Sequence, residues 1–152
     1  MKKSTWIIDI INVIGVTDTN IRMLLIMEKE TSHVITLEII PNNIHPISML
    51  EKALKDARIK PSLIIVDDRK EVLDAYNIVY GPRIAKHRST LFGIKIIDEK
   101  GKLTSKPQED FKGFFINKIE SNPHTQTLTI TEFEDYYSNI CVQWNFTRRR
   151  VR

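Results

Sequence analysis

Residues Thr5 to Ile14 form an apolar, β-branched run interrupted at Asp9 and Asn12. A β-branched run of this kind predicts a strand buried on both faces in the middle of a sheet. Gly15 and Asp18-Thr19-Asn20 carry turn chemistry, and a second apolar run follows from Ile21 to Met27. The polar stretch Glu28 to Ser32 separates it from a third run, His33 to Ile40, which Pro41 ends. Two such runs joined by a short polar turn predict a hairpin. Beyond Pro46 the period changes. Ile47, Leu50, Leu54 and Ala57 recur three or four apart among charged residues, the stripe of an amphipathic helix bounded by Pro61.

Leu63 to Val66 is a short apolar run that delivers Asp67 and Asp68 at its C-terminal end. A strand reached through a crossover helix runs parallel to an earlier strand, here the first. Lys70 to Tyr80 predicts a short helix stopped by Gly81-Pro82, and Arg83 to His87 a short strand. Ile94-Ile97 and Lys102-Leu103, joined across Asp98 to Gly101, predict a small hairpin. Pro107 precedes a helix from Gln108 to about Ile119, and Thr131 to Trp144 reads as the last helix, with Thr131 as cap and Glu134 three residues on. The order β-β-β-α-β-α-β-α-α predicts an α/β domain: a mixed five-stranded sheet flanked by helices, without internal repeat or linker.

Length and charge narrow this picture. At 152 residues the chain suits a single domain with one core. Its net charge of +4 comes from Arg148, Arg149, Arg150 and Arg152; the remaining body carries equal numbers of each sign. This is a neutral domain with a basic end, not a protein that coats nucleic acid with charge, and such an end reads either as a solvated tail or as a phosphate contact. One cysteine, Cys141, excludes an intrachain disulfide, and its apolar surroundings fit a buried thiol. No uncharged run approaches the roughly 18 apolar residues of a membrane span, so a cytoplasmic or nuclear protein is expected. His33, His45, His87 and His124 are scattered, so a zinc site of His and Cys is not available, and any metal must be held by carboxylates.

Asp9 poses the chemical question, because a carboxylate in a buried strand costs several kcal/mol unless it is paired, hydrogen-bonded or metal-bound. If its strand neighbours that of Asp67, the two carboxylates converge, and Mg²⁺ or Mn²⁺ relieves their repulsion. The alternative is that Asp9 caps a turn or pairs with an arginine, and that Asp67 and Asp68 start the next helix.

The segment Trp6-Ile7-Ile8-Asp9, the strand Val34 to Ile40 and the unit closing in Leu63-Ile64-Ile65-Val66-Asp67-Asp68 resemble the catalytic core of retroviral-type integrases and DDE transposases, which have an RNase H-like fold. There a Trp-x-x-Asp strand carries the first metal ligand and a strand ending Thr-Asp-Asn-Gly the second. Here Val66-Asp67-Asp68-Arg69 keeps the Asp and replaces both Asn and Gly. The resemblance implies a third ligand at the start of a later helix, best matched by Glu109, with Glu120 a distant second. Trp144-Asn145 followed by Arg148-Arg149 resembles the Tyr-Asn-x-x-Arg end of many transposase cores. Gly113 and Ile116 stand where the family places DNA-gripping lysines, leaving Lys112 or Lys118 as substitutes.

What the resemblance implies is a metal-dependent polynucleotidyl transferase that cleaves and joins DNA strands. Two Mg²⁺ or Mn²⁺ ions about 3.5–4 Å apart would be held by Asp9, Asp67 and Glu109, with Asp9 between them. Lys86, Arg88, Arg148, Arg149 and Arg150 are further candidate phosphate contacts, each steepening the salt dependence of DNA binding by about 0.9 in log–log slope. DNA and a second copy of the chain are the expected partners, and a catalytic core taken from a longer recombinase is the expected context. A nuclease of the same fold and a catalytically degenerate interaction module are the alternatives.

Overall fold

The computed structural model describes residues 4–16, 19–67, 69–77, 90–98 and 106–148. Three long strands, β1 (Thr5–Val16), β2 (Thr19–Glu28) and β3 (Val34–Ile39), form an antiparallel meander. Helix α1 (Pro46–Asp56) then crosses to β4 (Leu63–Val66), which pairs parallel with β1. After α2 (Lys70–Ala75) come a two-residue strand β5 (Thr90–Leu91) and β6 (Ile94–Asp98), which lies parallel to β4. The sheet order is β3-β2-β1-β4-β6-β5, so β1 and β4 lie at its centre. The expected mixed five-stranded sheet is present, with β5 added as a short edge strand. Helices α3 (Pro107–Glu120) and α4 (Ile130–Arg148) complete the fold, with a 3-10 turn at Thr125–Thr127 between them.

Side chains alternate between the two faces of a strand, and this alternation divides the core in two. Trp6, Ile8 and Ile10 of β1 join Ile64 and Val66 of β4 under α1 and α2, where Leu50, Leu54, Val72 and Leu73 cover them. Ile11 and Val13 face the other way with Met23, Leu25 and Met27, under Phe111, Phe115 and Ile119 of α3 and Phe133, Tyr137, Ile140 and Trp144 of α4. Asp9 and Asp67 have the parity of this second face. The first turn of α3 is therefore the element positioned to meet them.

Local chemistry sets the helix ends. The Ile47 N–H donates to His45 Nδ1 (3.1 Å) ahead of Pro46, whose missing N–H costs nothing in a first turn. The Lys60 ammonium closes the other end of α1 on the carbonyls of Leu54, Lys55 and Ala57. Helix α4 starts at Ile130, one residue before the predicted Thr131. Its cap is Thr129: the Glu132 N–H donates to Thr129 Oγ1 (3.1 Å) and the Thr129 N–H to Glu132 Oε1 (2.9 Å), a reciprocal capping box.

Other boundaries also differ from the sequence reading. Strand β1 continues through Gly15 and Val16, and β2 already begins at Thr19, so those residues extend the ladder instead of turning it. Helix α2 ends at Ala75, short of Tyr80, and Asn77 takes a left-handed φ of 56° that a continuing helix would not allow. The Ile94 strand finds its hairpin partner upstream, in Thr90-Leu91, across Phe92 (φ 53°) and Gly93 (φ 78°). Positive φ at both central residues is the geometry of a two-residue turn matched to strand twist. The Arg83 to His87 strand and the Lys102-Leu103 segment lie outside the described residues.

The edge strand β3 is covered at one end by α4. Asn145 acts as a strand substitute: its Oδ1 accepts from the Val34 N–H (2.7 Å) and its Nδ2 donates to the Val34 carbonyl (3.0 Å). Next to it the Trp144 indole N–H donates to the Ser32 carbonyl (2.6 Å). Tyr136 ties α4 to α3 by donating to the Lys118 carbonyl (2.7 Å).

Candidate metal centre

Parallel pairing of β1 with β4 sets Ile8 beside Val66, and the ladder extends one step further, with the Asp67 N–H donating to the Ile8 carbonyl (3.2 Å). Asp9 and Asp67 are thus neighbours on the α3 face of the two central strands. Asp9 is 0% exposed and Asp67 1%. Pro107 starts α3, Phe111 and Phe115 anchor it in the core, and its first turn brings Glu109 to the same place with its side chain half exposed. Carboxylate oxygens of Asp9, Asp67 and Glu109 all lie within 4.8 Å of one another. The three candidate ligands come together as expected from sequence.

Two cations share this cluster. The Arg69 guanidinium donates to Asp9 Oδ1 and, through Nε, to Asp67 Oδ1 (3.1 Å), and it also reaches the Ile10 carbonyl (2.7 Å). Its remaining terminal nitrogen lies 3.2 Å from Glu71 Oε1. Lys112, one turn beyond Glu109, places its ammonium 2.7 Å from Asp9 Oδ2 and 3.3 Å from Glu109 Oε1. Both readings of Asp9 left open by the sequence are therefore realised: it pairs with an arginine, and it also converges with Asp67.

The electrostatics follow from burial. Loss of water pushes the Asp9 carboxyl above the ordinary carboxylate value; Lys112 opposes this, the neighbouring Asp67 charge adds to it, and Arg69 opposes it. Burial alone would lower the Arg69 pKa, but Asp9, Asp67 and Glu71 outweigh that and hold the guanidinium firmly charged. Asp67 Oδ2 is buried and has no hydrogen-bond partner among the described residues. A buried carboxylate oxygen left this way costs free energy unless some cation completes it. Three carboxylates as hard oxygen donors, with Asp67 Oδ2 lacking a hydrogen-bond partner among the described residues, match the needs of Mg²⁺ or Mn²⁺, which are held through a few carboxylates and otherwise by water and substrate oxygens. The residues present fit such an ion.

The other candidates fall elsewhere. Glu120 ends α3, about 16 Å along the axis from Glu109 at 1.5 Å per residue, too far to join the triad. Lys118 lies over the Phe114 ring at 5.5 Å, and the Arg148 guanidinium carbon stacks 3.6 Å from the centre of the Trp144 ring, at the β3 edge of the sheet. Asp68, Lys86, Arg88, Arg149 and Arg150 lie outside the described residues. In the sequence, Arg69 stands only as a replacement in the turn after Asp67. Its role was hidden because reaching Asp9 depends on the parallel pairing of β1 with β4. Cys141 is half-buried against the α3–α4 core, and burial pushes its thiol up to about 12, as suits an inert side chain.

No protein-family model and no curated protein match this sequence. Among solved structures, the HTLV-2 integrase catalytic core domain in complex with magnesium, in its dimeric form, superposes with a TM-score of 0.51 at 12% identity, over 97% of this chain and 85% of that one. The fold is that of an integrase catalytic core. A simian T-cell lymphotropic virus intasome in complex with PP2A regulatory subunit B56 gamma is matched at a TM-score of 0.49 and 15% identity, over 90% of this chain. The chain spans 46% of the length of that intasome chain. No helix among the described residues is long and apolar enough to cross a membrane.

Proposed function

We propose that this chain is a divalent-metal-dependent polynucleotidyl transferase core that cleaves DNA strands and joins them to a DNA target. One observation carries the reading: Asp9, Asp67 and Glu109 meet within 4.8 Å on the α3 face of the central strands of an integrase-type fold. Bound there, Mg²⁺ or Mn²⁺ would supply Lewis-acid activation of a hydroxyl nucleophile and charge neutralisation at the leaving oxygen. Asp9 and Asp67, both buried, hold their carboxylates in a fixed position; Glu109, at the rim, closes the ligand set from a separate helix. Among the described residues the site holds no serine or cysteine nucleophile, consistent with direct in-line attack by water or a DNA 3′-hydroxyl. Lys112 is placed to contact a phosphate once its carboxylate partners are engaged elsewhere. Lys118, Arg148 and, outside the described residues, Lys86, Arg88, Arg149 and Arg150 are the proposed backbone contacts.

A near-neutral body supports a core that borrows most of its DNA affinity from other domains of a longer recombinase, and we assign it a homodimeric state on the same reading. The test is Mn²⁺-dependent cleavage and strand transfer on pre-cleaved and branched DNA substrates. Activity lost in both Asp9→Asn and Glu109→Gln supports the assignment, and activity retained in either contradicts it. Cleavage without strand transfer favours a nuclease of the same fold. The second alternative, a non-catalytic interaction module, has its own supporting observation: Arg69 and Lys112 already neutralise much of the carboxylate charge. Metal that fails to bind the triad would favour it.

A further inference from the structure

Arg69 stands where a divalent ion would stand. Its guanidinium spans both buried carboxylates, engaging Oδ1 of Asp9 and Oδ1 of Asp67, and is fixed from behind by the Ile10 carbonyl. An ion bound by the same two residues meets a like charge within a few ångströms, so the guanidinium and the ion exclude one another. The side chain is free to leave, because at 39% exposure it sits at the mouth of the site. It also has a place to go. Glu71 lies 3.2 Å from its third nitrogen, outside the triad, half-exposed, and is itself held by Asn12 Nδ2 (2.8 Å). Lys112 differs, since among the described residues its ion pairs are both with members of the triad.

We propose that Arg69 is an internal counter-cation that fills the metal position when no ion is bound, sets the metal affinity of the site, and moves to Glu71 at the rim on loading. Metal binding is then an exchange of one cation for another. The guanidinium so released faces outward beside the loaded site, where two oxygens of a substrate phosphate are a bidentate partner for it. This inference rests on the reading of the triad as a metal site.

The experiment is a titration of the purified chain with Mn²⁺, following free Mn²⁺ by electron paramagnetic resonance, for wild type, Arg69→Gln, Arg69→Lys and Asp9→Asn. Removing a like charge from beside the ion is expected to tighten Mn²⁺ binding about tenfold or more in Arg69→Gln. Arg69→Lys is expected to fall between, because a single ammonium cannot bridge both carboxylates as the fork does. Unchanged or weaker affinity in Arg69→Gln, with binding abolished in Asp9→Asn, overturns the counter-cation and leaves the metal site standing. Should Arg69→Gln not fold without the ion, Arg69→Lys decides, and an affinity equal to wild type overturns the proposal. Absence of Mn²⁺ binding in every protein overturns both the exchange and the metal reading beneath it.

Discussion

Replacing Asn145 with Ala removes the cover from the end of the sheet's long edge. Two hydrogen bonds are lost together, from the Val34 N–H at 2.7 Å and to the Val34 carbonyl at 3.0 Å. Val34 is 8% exposed, so water replaces the amide only in part. A buried backbone group left unsatisfied costs about 1–3 kcal/mol, and two groups with partial access to water give a loss of roughly 2–3 kcal/mol. For a domain of this size that corresponds to a Tm lower by roughly 4–12 °C. The assay is urea denaturation followed by circular dichroism, read from the midpoint at constant slope. Val142→Ala on the same helix is the control; Val142 is 65% exposed and its truncation is expected to change stability by less than about 0.5 kcal/mol. An Asn145→Ala loss as small as the control's would refute the strand-substitute argument.

Three further outcomes are expected. Thr129→Ala, which breaks the reciprocal cap with Glu132, is expected to lower stability by about 1 kcal/mol, whereas Thr131→Ala lowers it less; the reverse order in urea midpoints would restore Thr131 as the cap. Cys141, with its thiol pushed up to about 12 by burial, is expected to react with iodoacetamide at pH 8 far more slowly in the native protein than in urea, and equal rates would contradict its burial. In the metal-free protein, folding raises the Asp9 pKa, so the native state binds more protons than the unfolded one above the ordinary carboxylate value of 3.8. Stability contributed by this group is greatest at low pH and is lost as pH rises through the raised value. The wild-type stability minus that of Asp9→Asn is therefore expected to fall as pH is raised in EDTA, and a difference that grows with pH would overturn the sign.

The site was legible where a residue contradicted its surroundings. Asp9 stands out because every physical reason for the Thr5 to Ile14 run to be a strand is a reason for a carboxylate not to be there. Asp67 follows from it, since the α1 crossover makes β4 parallel to β1 and sets the two residues side by side. Glu109 needed the resemblance to integrase cores, because nothing local distinguishes it from Asp110 at a helix start. Arg69 was illegible because its contact with Asp9 exists only through the strand register. The hairpin partner of β6 was missed for another reason: Phe92 carries a positive φ that an aromatic side chain does not announce. At α4 the sequence offers two overlapping caps, Thr129 with Glu132 and Thr131 with Glu134, and local chemistry alone does not choose between them.

The claim on which the account depends is that Asp9, Asp67 and Glu109 hold a divalent ion. Anomalous diffraction from crystals of the chain soaked in Mn²⁺ measures this directly. Manganese density is expected within about 2.5 Å of Asp9 and Asp67 oxygens, with the Arg69 guanidinium displaced toward Glu71. Crystals that show no manganese there, with Arg69 still seated between the two carboxylates, would contradict it.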